Sequence, residues 1–185
     1  MYISILGYTV WMPKFIRNYI AGGTYFFTLV TSDRLKFFTD ERYIESFLSA
    51  LSTIQKYHHF DLIAYCVLPD HIHLILTLAE DDKDFSSRIK EIKKMTTKES
   101  REFSGDRFLI IWQKRFWEHT IRDQEDFQNC FDYIHYNPIK HGYSDTYDWL
   151  WSSYWSYYCE GENNAPEIDL KKFQDSMNSF GEWRE

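Results

Sequence analysis

The chain has 185 residues, of which 44% are hydrophobic and 19% aromatic, and its formal net charge is −7. That length suits one domain with a sizeable core, and so apolar a composition excludes a disordered chain. Cys66, Cys130 and Cys159 are an odd number without Cys-x-x-Cys spacing, which argues against a disulfide framework or a structural zinc site and fits a reducing cytoplasm.

The first eleven residues are mildly apolar, but no basic stretch precedes them and they fall far short of the ~20 residues a membrane span needs. They are expected to be neither a signal peptide nor a membrane anchor, and the chain to form a single domain covering residues 1–185, with no membrane partner. Gly22-Gly23 gives flexible entry to a first strand at residues 24–31, rich in Tyr, Phe, Val and Thr. Thr39 or Asp40 can cap a helix in which Tyr43, Ile44, Phe47, Leu48, Leu51 and Ile54 recur at helical spacing as far as Tyr57. Residues 60–68 and 72–78 form a second and third strand joined at Pro69-Asp70, which reads as a hairpin.

An acidic loop at residues 80–84 leads into a basic helix at residues 85–101. Residues 109–120 carry the apolar and aromatic residues of a fourth strand or extended segment, and a further helix opens near Asp123. Residues 160–185 form a C-terminal tail, with a short acidic helix anchored by Leu170, Phe173, Met177 and Phe180. The order strand, helix, strand, strand, helix, strand predicts an α+β, ferredoxin-like antiparallel sheet with helices packed on one face.

Two stretches carry candidate chemistry. In Leu68-Pro69-Asp70-His71-Ile72-His73, strand alternation points His71 and His73 the same way, roughly 6 to 7 Å apart along the strand. Two imidazoles so placed can share a metal ion, although a pair of half-buried, hydrogen-bonded histidines would have the same spacing. In Asp132-Tyr133-Ile134-His135-Tyr136-Asn137-Pro138, Tyr133 and Asn137 stand four apart on one helix face. That face offers a phenol able to act as a nucleophile and an amide oxygen able to complete a metal site. Core aromatics at a helix end stopped by Pro138 would also account for it.

Charge is uneven. Between Ser86 and Arg122 ten basic residues stand against five acidic ones, a local net of +5, so the remainder of the chain carries −12. A local positive field of this kind can bind phosphates despite an acidic whole, and a solvated helix face of mixed charge has the same composition.

Taken together, these stretches resemble the HUH single-tyrosine transposases, in which U is a hydrophobic residue, and within them the REP-associated tyrosine transposases of bacteria. The resemblance rests on Gly22-Gly23-Thr24-Tyr25-Phe26-Phe27-Thr28, Val67-Leu68-Pro69-Asp70-His71-Ile72-His73, Trp112-Gln113-Lys114-Arg115-Phe116-Trp117-Glu118-His119, Asp132 to Gly142, and Asp148-Trp149-Leu150-Trp151-Ser152-Ser153-Tyr154. These appear in the family's order over about residues 14 to 158, so the resemblance implies that residues 1–13 are an N-terminal extension or a start-site artefact.

The resemblance implies an HUH endonuclease fold and a metal-dependent DNA cleavage and strand-transfer activity. Tyr133 would be the catalytic nucleophile forming a 5′-phosphotyrosine link, and His71, His73 and Asn137 would hold Mg²⁺ or Mn²⁺. It also implies single-stranded or hairpin DNA of repetitive extragenic palindromes as substrate, a monomer, and a cytoplasmic, nucleoid-associated setting. Arg17 and Tyr19 sit where the family has a basic and aromatic arm. With Arg88, Lys90, Lys94, Lys114 and Arg115 they are the expected DNA contacts. His135 and Lys140 lie near Tyr133 in sequence without being clearly on its face.

Two other readings fit parts of the sequence. One is a metal-dependent phosphoesterase using the histidines with Asp70. The other is a non-catalytic nucleic-acid-binding ferredoxin-like module in which aromatics stack on bases. The coincidence of the histidine pair with Tyr133 four residues before Asn137 argues against the second.

Overall fold

The computed structural model describes residues 2–5, 8–11 and 17–158. Within the expected N-terminal extension, β1 (Tyr2–Ile5) and β2 (Tyr8–Trp11) form an antiparallel ladder. The expected C-terminal tail, residues 160–185, lies outside the described residues.

The main sheet begins with β3 (Thr24–Val30). Gly22 precedes it with φ +66°, and a Cβ there would lie 3.3 Å from the Glu80 Cα, so a side chain is disfavoured by conformation and by space. α1 (Glu41–Tyr57) is capped by the Asp40 carboxylate, which accepts from the Arg42 N–H, and it buries Ile44, Phe47, Ala50, Leu51 and Ile54 on one stripe. β4 (Phe60–Val67) and β5 (His71–Leu78) follow as the expected hairpin. α2 (Phe85–Ser104) is capped by Asp84 and ends at Gly105 in the left-handed conformation, a few residues beyond the expected end.

One expected strand is much shorter in the structure. Only β6 (Trp117–Thr120) joins the sheet, pairing with β3 from Thr28↔Trp117 to Tyr25↔Thr120. Residues 109–116 run outside the ladder, held by a single bridge from Thr31 to Trp112 and by the Gln113 N–H donating to the Val30 carbonyl at 2.9 Å. Ile111 and Trp112, adjacent in sequence, are both buried in the same apolar cluster, which a regular strand, alternating its faces, does not allow.

α3 (Gln124–Lys140) differs too. Pro138 does not stop it, because a proline in the last turn forfeits one backbone bond while the His141 N–H still reaches the Asn137 carbonyl at 3.1 Å. α4 (Tyr154–Tyr158) is a short helical turn.

The sheet order is β4-β5-β3-β6, all antiparallel neighbours, as the ferredoxin-like order requires. α1 and α2 pack side by side on one face over Tyr25, Phe27, Leu29, Ile72, Leu74 and Leu76. α3 lies against the other face, over Phe26, Ala64, Cys66, Leu68 and Ile75. The edge of β4 is covered by residues 149–153: Val67 donates its N–H to the Trp151 carbonyl and accepts the Trp149 indole N–H.

Candidate active site

β5 and α3 meet with their polar residues facing. Strand alternation sends Ile72 and Leu74 into the α1/α2 core and turns His71 and His73 towards α3, where both are fully buried with ring centroids 4.9 Å apart. From α3, Tyr133 sets its ring edge-on to His73 at 5.2 Å and against Phe26 at 6.0 Å. One turn later Asn137, also fully buried, brings its Oδ1 to 3.3 Å from His71 Nε2. The histidine pair on β5 and the phenol and amide on α3, sixty or more positions away in sequence, thus share one cluster.

The histidines are oriented from behind. Asp70 Oδ1 lies 2.7 Å from His71 Nδ1, so the carboxylate takes the Nδ1–H and leaves the Nε2 lone pair aimed at Asn137. His73 Nδ1 lies 3.0 Å from Thr28 Oγ1 across the ladder. The hydrogen bond from His71, with Arg34 3.4 Å from the other oxygen, holds the Asp70 carboxyl down at about 2. Asp33 and Arg34, at φ 51° and 57°, adopt the left-handed conformation that non-glycine residues seldom take, and this turn delivers the guanidinium to Asp70.

These residues fit a divalent cation. Ligands bound at ~2.1 Å in cis positions lie about 3 Å apart, which matches the His71 Nε2 to Asn137 Oδ1 separation. With the His71 proton on the Asp70 side, two acceptors face one another, an arrangement that a shared cation resolves. The Asn137 Nδ2 is buried without a hydrogen-bond partner among the described residues, so the amide does not sit there to satisfy its own polarity. Asp70 is the wrong candidate for a carboxylate ligand, since its two oxygens already face His71 and Arg34.

The transposase family called "Transposase IS200 like" matches residues 19–137, and that span contains β3, the histidine pair, Tyr133 and Asn137. The chain is 40% identical over 174 residues to a REP-associated tyrosine transposase of Haemophilus influenzae, covering 86% of this chain and 98% of that protein. The chain belongs to the REP-associated tyrosine transposases.

A REP-associated tyrosine transposase of Escherichia coli is 40% identical over 144 residues, covering 77% of this chain and 83% of the relative. A solved REP-associated tyrosine transposase bound to a REP hairpin superposes with a TM-score of 0.70 at 35% identity, covering 85% of this chain and 96% of that one. The protein is thus an HUH-type tyrosine transposase, an enzyme.

The transposase's expected DNA contacts are dispersed. Lys114 and Arg115 are exposed and follow Gln113, which is tied to Val30, the residue opposite His71 in the ladder. They therefore flank the end of the sheet that carries His71. Lys90 and Lys94 are exposed on α2, across the sheet from Tyr133. Arg88 pairs with Asp82 at 2.9 Å.

Arg17 is turned inward, 4.1 Å from the Phe116 ring centroid and 3.4 Å from the buried Glu118 carboxylate, and Tyr19 stacks on Phe85. In this position the pair braces the start of β3 against α2. Lys93, outside the expected contacts, donates to the Gln113 carbonyl at 2.8 Å, and burial pulls its ammonium down to about 8.

The structure also resolves the surroundings of the phenol. Lys140 Nζ donates to Tyr133 Oη at 3.0 Å. His135 lies elsewhere, with Nε2 3.0 Å from Ser153 Oγ and its ring among Phe131, Tyr154 and Tyr157. The signal for Lys140 was available in the sequence: seven residues are close to two full helical turns, so Tyr133 and Lys140 share a face.

A second cluster able to coordinate a metal is present at His119, Asp126 and Cys130, whose ligand atoms lie within 4.8 Å of one another. Both Asp126 oxygens face His119 Nε2, at 2.8 and 2.9 Å, and Oδ2 also accepts from the Arg122 N–H and guanidinium. A guanidinium on the carboxylate and a thiol whose ionisation is pushed up by burial both oppose a dication there. The cluster ties β6 to the first turn of α3. No helix among the described residues is long and apolar enough to cross a membrane.

Proposed function

We propose that this transposase cuts and rejoins single-stranded DNA at repetitive extragenic palindromic hairpins, using Tyr133 as nucleophile and a divalent ion held by His71, His73 and Asn137. The observation that carries the reading is the convergence of these four side chains at the β5/α3 contact. The solved relative is bound to a REP hairpin, which supports the same class of substrate here.

The bound ion would supply Lewis-acid polarisation of the scissile phosphate. The chain's own residues do the rest. The Tyr133 ring is held by Phe26 and His73, so its oxygen is presented in one direction instead of sampling rotamers. Asp70 and Thr28 fix the imidazoles in the tautomer and orientation that ligation needs. Attack by the phenol oxygen leaves a 5′-phosphotyrosine and a free 3′-hydroxyl, and the covalent link conserves the bond energy for rejoining.

Two imidazoles beside one amide oxygen favour Mn²⁺ over the all-oxygen preference of Mg²⁺, so Mn²⁺ is the better activator and Mg²⁺ a competent one. α3 packs on its own sheet, so Tyr133 serves the histidines of the same chain. A single copy then holds a complete site, and the protein acts as a monomer, as one domain, on DNA in the cytoplasm. Lys114 and Arg115, with Lys90, Lys94 and Arg88 further round, would contact phosphates, while Arg17 and Tyr19 would reach bases only after leaving their present partners.

The test is incubation with labelled single-stranded REP-hairpin DNA and Mn²⁺, followed by denaturing electrophoresis. A covalent adduct forms with the parent protein and is absent with Tyr133→Phe, while hairpin affinity stays within about twofold because phosphate contacts lie elsewhere. An adduct that persists in Tyr133→Phe and disappears in Tyr136→Phe would move the nucleophile to Tyr136.

A further inference from the structure

The last turn of α3 places a cation on the nucleophile. Lys140 is exposed at the rim of the helix, where a lysine ordinarily extends into water and keeps its rotamer freedom. Here it folds back instead. Its Nζ lies 3.0 Å from Tyr133 Oη and 4.9 Å from the centroid of the same ring. A lysine ammonium has donors and no acceptor, so the hydrogen bond runs from Nζ to the phenol oxygen.

We propose that Lys140 is a catalytic residue whose ammonium stabilises the negative charge on Tyr133 Oη as it enters the phosphodiester and again as it leaves the phosphotyrosine. The inference rests on the reading of Tyr133 as nucleophile and adds the group that makes a neutral phenol usable in both directions.

In cleavage the phenol proton passes to water, Oη forms its bond to phosphorus, the bond from phosphorus to the 3′ oxygen breaks, and that oxygen takes a proton from water. In rejoining, the 3′-hydroxyl gives its proton to water and bonds to phosphorus. The bond from phosphorus to Oη then breaks, and the phenol is reprotonated. Oη carries partial charge in both transition states, so one fixed donor serves each, and Lys140 keeps its own proton throughout. His135, the other basic residue nearby in sequence, is committed to Ser153.

The experiment compares Lys140→Met, Lys140→Arg, Tyr133→Phe and the parent chain, each with Mn²⁺ and labelled REP-hairpin DNA. Two quantities are read: the single-turnover rate of adduct formation at saturating DNA, and hairpin Kd by anisotropy over a range of salt. Lys140→Met is expected to lower the adduct rate by roughly 100-fold, the scale of losing one charge-stabilising donor, and Lys140→Arg to recover at least about a tenth of the parent rate. Hairpin Kd and its salt slope stay within about twofold of the parent, as for a residue that is not a phosphate contact.

A Lys140→Met adduct rate within about threefold of the parent overturns the proposal. So does a loss confined to Kd with a flatter salt slope, which would make Lys140 a phosphate contact. Should Lys140→Met melt early, ethylammonium is added to Lys140→Ala at a temperature where that variant is folded. Acceleration of the adduct rate by the amine supports the proposal, and its absence overturns it. An adduct in Tyr133→Phe removes the nucleophile reading itself. An inactive Tyr133→Phe beside a normal Lys140→Met removes only the role of Lys140.

Discussion

The two faces of the sheet are built from the same strands and do different work. On the α1/α2 face, Tyr25, Phe27, Leu29, Ile72, Leu74 and Leu76 meet Phe47, Leu51, Ile89 and Ile92, an almost wholly apolar contact. On the α3 face, Phe26 and Ile75 share the surface with buried Thr28, His71 and His73, opposite Tyr133, His135 and Asn137. Burying apolar area stabilises by about 25 cal/mol per Å², whereas each buried polar group costs free energy unless it is partnered. The first face therefore carries stability and the second draws on it. The run His71-Ile72-His73-Leu74 splits the two roles residue by residue.

The sharpest way to break this division is at the histidines. His71→Ala or His73→Ala should reduce Mn²⁺-dependent adduct formation to background, with a stability loss of about 1–3 kcal/mol in denaturant unfolding for the cavity and for the partner left unsatisfied at Asp70 or Thr28. Normal cleavage by the double variant would end the site reading altogether.

Phe47→Ala is the opposite case. Truncating a fully buried phenylalanine on the apolar face should cost about 3–5 kcal/mol in denaturant unfolding. The adduct rate at a temperature where the variant remains folded should hold within about twofold. A large rate loss there would show that the faces are coupled.

Asp70→Asn should weaken Mn²⁺ binding by about 10- to 100-fold in calorimetry, as is usual when the partner behind a ligating imidazole is removed. It should leave hairpin Kd unchanged. Equal metal affinity in the variant would mean that the His71 tautomer needs no help.

The smallest effect separates two groups of cations. Lys114→Ala with Arg115→Ala should reduce the slope of log affinity against log salt by about 0.7 per lost single-strand phosphate contact, with a few-fold rise in Kd at moderate salt. Lys90→Ala with Lys94→Ala, across the sheet from Tyr133, should change the slope less. A larger change from the α2 pair would place the DNA path over the apolar side's helices.

Much of this architecture was legible in order. Strand alternation alone put His71 and His73 on one face, and the 3.6-residue period alone put Tyr133 above Asn137. The caps at Asp40 and Asp123 and the hairpin at Pro69-Asp70 likewise follow from local chemistry. The irregular path of residues 109–116 was not legible, because the burial of both Ile111 and Trp112 depends on a cleft made by α1, α2 and β3. Nor was the continuation of α3 through Pro138, since local preference argued for a stop and the packing of that turn against the sheet prevailed.

By itself, then, the sequence determined the order of elements, the face on which each candidate ligand stands and the kinds of chemistry on offer, because those depend on periodicities of a few residues. The tertiary structure decided which side chains meet: Asn137 with His71, Tyr133 with His73, Arg34 with Asp70, and the inward turn of Arg17 onto Phe116 and Glu118. Those contacts join residues thirty-six to more than a hundred positions apart. They are set by how two faces of one sheet share out apolar and polar burial, a competition that no local window of sequence contains.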